Sequence, residues 1–107
     1  MSGLGKYYFS NGDKFTGNFS SGSFKNGKLT YNDNVSRLEY EEGYWSEGKL
    51  NGFGIRVWKK KADELQQTKY EGEFKFGLRE GKGFMIWSYG GFGNSINLLV
   101  ELFFNVS

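Results

Sequence analysis

Polar and apolar residues alternate along much of this chain. In the segment Tyr-Glu-Gly-Glu-Phe-Lys at 70–75, charged residues alternate with rings and a glycine. Because successive residues of a strand point to opposite faces, the segment is predicted to be a strand with one apolar and one charged face. The following residues place Gly81, Gly83 and Trp87 on a single face, and Gly77 lies in the stretch between the two strands. This arrangement predicts a β-hairpin.

The hairpin pattern recurs along the chain. The segment 43–58 carries glycines and rings at the same offsets as the segment 70–87. The matched positions are Gly43, Gly48, Gly52, Gly54, Trp45 and Trp58 in the first, and Gly72, Gly77, Gly81, Gly83, Phe74 and Trp87 in the second. An earlier copy at 15–31 keeps Gly17, Phe19 and Gly22, but its Gly27 stands one residue later than the pattern requires. With a half copy at 3–9, the repeats predict about seven strands.

The glycines of each copy are predicted to receive aromatic rings. Two glycines on one face of a strand, such as Gly81 and Gly83, leave a trough in which a ring from a paired strand can lie. Sequential hairpins then form an all-β fold, an elongated single-layer antiparallel sheet covering residues 1–93. At about 4.8 Å between strands, the sheet would extend roughly 30 Å.

Residues 94–107 depart from the repeat. Their apolar positions Ile96, Leu99, Val100, Phe103 and Phe104 follow the spacing of a helical stripe. Leu98 and Leu102 widen that stripe beyond one clean face, so a strand remains an alternative. We expect this apolar segment to cap the open edge of the last hairpin or to dock into a partner.

Composition narrows the classes of function. The 107 residues include 17 Gly and 20% aromatic residues, but neither His nor Cys. The usual zinc ligands, thiol nucleophiles and neutral-pH proton shuttles are therefore missing, and we predict no enzyme, catalytic residue, cofactor or metal. The formal charge of +2 is too small to predict nucleic acid as a ligand. The first residues contain no apolar run typical of a signal peptide, which predicts a cytoplasmic location.

The string Y-x-G-x-F-x-x-G-x-x-x-G-x-G, which runs from Tyr70 to Gly83, resembles the MORN (membrane occupation and recognition nexus) repeat. The resemblance covers Gly3 to about Trp87. It implies stacked hairpins in a curved single sheet whose rings line a groove. MORN arrays are familiar in radial spoke heads and other axonemal proteins, in junctophilins, in plant phosphatidylinositol phosphate kinases and in parasite cytoskeletal scaffolds. The resemblance therefore implies a scaffold in a cytoskeletal or ciliary assembly.

An aromatic face that no helix covers is open to a partner, although the rings could equally stack within the chain. The candidate partner-binding residues are Phe19, Trp45, Trp58, Phe74, Trp87, Ile96, Leu99, Val100, Phe103 and Phe104. Other proteins of a large assembly are the expected partners, and a homodimer stays open. The alternative function is a peripheral tether to anionic lipid through Lys59 to Lys61 and the C-terminal apolar segment, although lipid-binding clusters usually contain four to eight basic residues.

Overall fold

The computed structural model describes residues 3–32, 37–59, 66–90 and 95–104, which form one antiparallel sheet without a helix. Its eight strands pair in sequence order, so each strand lies beside its neighbours in the chain. The strands are β1 (Gly3–Tyr8), β2 (Lys14–Ser20), β3 (Ser23–Thr30), β4 (Leu38–Ser46), β5 (Lys49–Trp58), β6 (Gln66–Lys75), β7 (Leu78–Gly90) and β8 (Ser95–Phe104). The predicted fold class is confirmed.

The sheet is elongated, with principal extents of 45 × 32 × 24 Å and a radius of gyration of 15.0 Å. A compact domain of this length would have a radius of gyration of about 13 Å. The eighth strand, beyond the roughly seven expected, is the C-terminal segment. The three complete repeats are the β2–β3, β4–β5 and β6–β7 hairpins.

A two-residue turn closes each of these hairpins. The turns are Ser21-Gly22, Glu47-Gly48 and Phe76-Gly77, and both residues of each have positive φ. Two positive φ angles define the type I′ turn, whose twist matches that of the flanking strands. Glycine at the second position adopts this conformation without a Cβ clash. These turn glycines therefore set the hairpin register.

A second set of glycines forms a ladder across the sheet. Seven of the eight strands contribute one glycine each, in direct register, and we call this row the glycine ladder. Its members are Gly5, Gly17, Gly27, Gly43, Gly54, Gly72 and Gly83. A Cβ on Gly72 would lie 2.6 Å from the Cα of Gly83, and one on Gly43 would lie 2.7 Å from the Cα of Gly54. The backbones approach too closely for any side chain.

Rings lie against the ladder, as the sequence predicted. The Tyr70 ring occupies the space where a Cβ of Gly83 would point, and Phe74 lies 3.2 Å from the corresponding position of Gly54. Gly81, however, has no neighbouring atom within 4 Å of its Cβ position. It lies where the register shifts by two residues, so its predicted role as a socket is wrong. Gly81 instead gives β7 the positive φ of a bulge.

The first repeat differs from the others in the length of its bulge. Gly27 pairs with Gly17, ten residues away, whereas the paired ladder glycines of the other two hairpins are eleven residues apart. The interpretation of Gly27 as displaced is therefore wrong. It is a ladder glycine, and the irregularity lies in a bulge that is one residue shorter.

The hydrophobic core lies on one face of the sheet, which we call the inner face; the opposite side is the outer face. The buried core residues are Phe15, Phe19, Leu29, Trp45, Leu50, Tyr70, Phe74 and Met85. Trp58 and Trp87 both pack against this cluster. They therefore share a face, as the repeat pattern requires.

The C-terminal segment is a strand and not a helix. β8 pairs with β7 over its full length, from Ser95 opposite Gly90 to Phe104 opposite Gly81. Pairing satisfies backbone groups along β7 that a helix would have left open. The segment therefore covers the edge of the last hairpin, as the capping alternative expected, and the helical alternative is wrong.

The ladder predicts a large cost for adding one methyl group. We expect Gly72→Ala to lower the free energy of unfolding by about 3 kcal/mol, because its Cβ would overlap the backbone of β7. The measurement is urea denaturation followed by tryptophan fluorescence.

The matched control is Gly48→Asn in a turn with open space around the Cβ position and a φ of +78°. Asparagine tolerates this conformation, so the loss should stay near 1 kcal/mol. Equal losses in the two variants would show that close backbone approach is not what requires glycine in the ladder.

Candidate interaction surface

Three of the candidate rings belong to the core of the chain itself. Phe19, Trp45 and Phe74 are 5%, 7% and 2% exposed. Phe19 meets Phe15 edge to face with ring centres 5.4 Å apart, and the Trp45 indole N–H donates to the carbonyl of Gly27 at 3.0 Å. A partner could reach these rings only if the sheet opened, so their immediate role is intramolecular packing.

Trp58 and Trp87 lie farther from the centre of the inner face. Both are half-buried and pack against the edge of the core. Phe104 is also half-buried, with its ring centre 5.7 Å from that of Tyr70. These side chains leave part of their surface accessible to a partner.

The most exposed apolar residues among the candidates lie on β8. Leu99 is 59% and Phe103 73% exposed, and both occupy the outer face. Val100 and Phe104 point to the inner face and are half-buried, while Ile96 lies opposite Tyr89, with its side chain outside the described set. The helical spacing predicted one stripe for these residues, but a strand divides them between two faces.

Leu98 is a further exposed residue of β8 and lies outside the set of candidate partner-binding residues. It is 52% exposed and lies opposite Trp87 on the inner face. Period-2 spacing would have found it, because Leu98 alternates with Val100 and Leu102. The helical spacing of residues 96, 99, 100, 103 and 104 does not include it.

An ion pair occupies a core position in the middle repeat. Two residues before the ladder glycine, the first and third repeats place Phe15 opposite Leu29 and Tyr70 opposite Met85. At the same position the middle repeat places Glu41 opposite Arg56. The Arg56 Nη2 atom lies 2.7 Å from Glu41 Oε2, and both side chains are largely removed from solvent. A charged pair thus replaces an apolar one.

This ion pair connects neighbouring repeats. Arg56 donates to the carbonyl of Gly77 at 2.8 Å, in the turn of the next hairpin, and lies over the Phe74 ring at 4.9 Å from its centre. The Tyr31 hydroxyl, which follows β3, donates to Glu41. Burial raises the pKa of Tyr31, and its hydrogen bond to Glu41 adds to the shift. The network therefore joins all three complete hairpins.

Within the described ranges, no group of three or more His, Cys, Asp and Glu side chains is arranged to hold a metal ion. No helix in this part of the chain is long and apolar enough to cross a membrane. The surface instead offers apolar side chains on β8 and charged side chains on the outer face. Such a surface can bind another molecule by shape and charge.

Sequential hairpins, a shared glycine ladder and an exposed terminal strand define a β-hairpin repeat protein. The family model for the MORN repeat matches residues 1–14, 42–61 and 70–92, which together make up more than half of the chain. The chain belongs to the MORN repeat family, whose repeats are associated with interactions with proteins or lipids. The match leaves out the β2–β3 hairpin, the one with the shorter bulge. A search of curated proteins finds no match.

Replacing both residues of the Glu41–Arg56 ion pair should lower the free energy of unfolding less than replacing one of them. We expect Glu41→Gln to lower the free energy of unfolding by about 3 kcal/mol, because it leaves the Arg56 charge in the core without its partner. The double variant Glu41→Phe with Arg56→Leu recreates the apolar pair of the first repeat and should regain most of that loss. Chemical denaturation measures both variants. A double variant less stable than the single one would show that the network contributes more than its charges cost.

Alkaline pH should destabilise the fold through Tyr31. Because burial and Glu41 raise its pKa, the folded state keeps this hydroxyl protonated after the unfolded chain begins to ionise near pH 10. The free energy of unfolding should therefore fall as pH rises above about 10. Tyr31→Phe should make this decline shallower in denaturation experiments at a series of pH values. Identical slopes for the two proteins would contradict the assignment to Tyr31.

Proposed function

We propose that this protein is a non-catalytic adaptor that binds another protein through the exposed apolar residues of β8. The observation that carries the proposal is the exposure of Leu98, Leu99 and Phe103 on one strand. Burying each of these side chains would contribute roughly 2 kcal/mol. Leu99 and Phe103 lie on the outer face and Leu98 on the inner face, so each face of β8 exposes apolar surface of the kind typical of an interaction site.

The charges around β8 favour a protein over an anionic membrane. β8 contains Glu101 and no basic residue. Glu101 lies between Leu99 and Phe103 on the outer face, with its Oε1 atom 3.5 Å from the Lys82 ammonium. Apolar residues beside a paired charge resemble the core and rim of a protein interface. The lipid alternative rests on Lys59 to Lys61, of which Lys60 and Lys61 lie outside the described residues.

We place the adaptor in a cytoplasmic assembly, with the cytoskeleton or a cilium as its setting. This part of the proposal rests on the assemblies in which arrays of the same repeat occur. A continuous sheet with exposed side chains on both faces suits a subunit that contacts more than one neighbour. The partner would cover β8 as a further layer or as an added strand.

Capture experiments with substituted β8 residues test this function. We compare the amount of partner captured from cells that express either protein. The double variant Leu99→Ser with Phe103→Ser should capture at least about tenfold less partner than the unmodified protein, because two buried apolar contacts disappear. Quantitative mass spectrometry of the captured proteins gives the ratio. Leu4→Ser is the matched control, since Leu4 is an exposed outer-face residue at the opposite end of the sheet.

Three outcomes would contradict the proposal. Equal capture by the two serine variants would remove β8 from the interface. Flotation with acidic vesicles that the β8 substitutions abolish would support the lipid tether instead. A doubled mass in light scattering that the same substitutions abolish would show that a second copy of the chain occupies the surface.

A further inference from the structure

A hollow of about 430 Å³ opens on the outer face across β5, β6 and β7. Its sides are the side chains of Phe53, Glu71, Glu73, Lys82 and Phe84, which stand over the backbone of the ladder glycines Gly72 and Gly83. This space is separate from the core, which lies on the inner face. Its walls combine two aromatic rings with two carboxylates and one lysine.

The two rings flank the strand that carries the carboxylates. Phe53 of β5 pairs with Glu73, and Phe84 of β7 pairs with Glu71. Because neighbouring strands are about 4.8 Å apart, the strands that carry the rings are roughly 10 Å apart. The two rings are also offset by two residues along β6, since one stands beside Glu73 and the other beside Glu71. The hollow is therefore wide enough for a flat group that stacks on one of the rings, at about 3.5 Å, and lies beside the carboxylates.

The charge of the hollow is predominantly negative. Glu73 has no ion pair within the described part of the chain, and the nearest cation to Glu71 is Lys69 at 3.8 Å. Lys82 is drawn toward Glu101 on β8, at 3.5 Å, and is not paired with either carboxylate of the hollow. Its ammonium nevertheless lies 5.9 Å from the centre of the Phe84 ring, close enough for a cation–π contact. The two carboxylates and one ammonium of the lining give a net charge of −1, which favours a cation over phosphate or carboxylate ligands.

We infer that this hollow binds an arginine side chain of a partner protein. A guanidinium group is planar, stacks on aromatic rings and directs several N–H donors toward carboxylates in its plane. Lysine carries the same charge on a compact ammonium that cannot fill a flat slot in this way. Arginine can therefore stack on a ring of the hollow and bind its carboxylates at the same time.

The hollow is continuous with the β8 surface. Phe103 pairs with Lys82, and Glu101 pairs with Phe84, so the outer-face residues of β8 border the hollow directly. One partner segment could place its arginine in the hollow and its apolar residues over Leu99 and Phe103. The inference deepens the proposed adaptor function and rests on it for the identity of the partner as a protein.

A titration monitored by ¹⁵N–¹H NMR tests the site with the full chain. The probes are acetyl-Gly-Gly-Arg-Gly-Gly-amide, the same peptide with lysine, and the same peptide with citrulline, which keeps the shape of arginine but not its charge. We expect the arginine peptide to shift the amide signals of Gly72, Gly83 and Phe84. The citrulline peptide should bind about tenfold more weakly and the lysine peptide about threefold more weakly. Equal shifts with citrulline or lysine, or no shifts with arginine, would overturn the inference.

Substitutions locate the binding in the hollow. Glu73→Gln and Phe84→Ala should each lower the affinity for the arginine peptide about fivefold. The first removes a charge and the second removes a stacking surface. Glu42→Gln is the matched control, because Glu42 is an outer-face carboxylate two strands away from Glu71. An equal effect of Glu42→Gln would show that binding follows the net charge of the whole face. Preserved signal dispersion verifies that each variant is folded.

The peptide titration tests the arginine site and the capture assay tests the adaptor surface, so the two can be contradicted independently. The Leu99→Ser and Phe103→Ser double variant should keep its affinity for the short arginine peptide, which has no apolar residue to contact β8. Normal capture by the unmodified protein with no peptide binding would overturn the arginine site alone. Peptide binding by a protein whose capture does not depend on β8 would overturn the adaptor surface alone.

Discussion

The close approach of backbones at the glycine ladder is the constraint on which this fold depends. Where Gly72 meets Gly83, a single added carbon would lie 2.6 Å from the opposite Cα atom. No side chain separates the strands at this row, and the ring of Tyr70 lies directly against it. The rings of the core thereby pack together on the inner face. A sheet of one layer can then bury a core without helices above it.

The ladder also explains why the repeats tolerate variation elsewhere. The first hairpin has a shorter bulge, yet Gly27 still meets Gly17 in register. The middle hairpin replaces a ring and an aliphatic side chain by Glu41 and Arg56, yet the two partners remain opposite each other. Type I′ turns fix one end of each hairpin and the ladder fixes its middle. Between these two points, length and polarity can change without loss of the fold.

The spacing of rings and glycines was sufficient to predict the hairpins, because period-2 alternation and turn glycines act over a few residues. The role of Gly81 was missed since a bulge depends on how two strands pair, which no single segment encodes. Helical spacing in residues 96–104 competed with strand spacing, and pairing with the long β7 decided between them. The hollow was not predicted because Phe53 and Phe84 are distant in sequence and come to one site only because β6 pairs with both of their strands.

Burial of the rings at the centre of the inner face leaves the exposed apolar surface at its margin and on β8. Phe74 and Trp45 are 2% and 7% exposed because they pack within the chain, whereas Leu99 and Phe103 are 59% and 73% exposed. The outer face, which the sequence presents as a charged solvent face, carries rings beside its carboxylates from β5 to β8. In a one-layer sheet both faces are surfaces, so packing on one face leaves the other free to bind. The glycine ladder therefore separates the core on the inner face from the rings and carboxylates on the outer face.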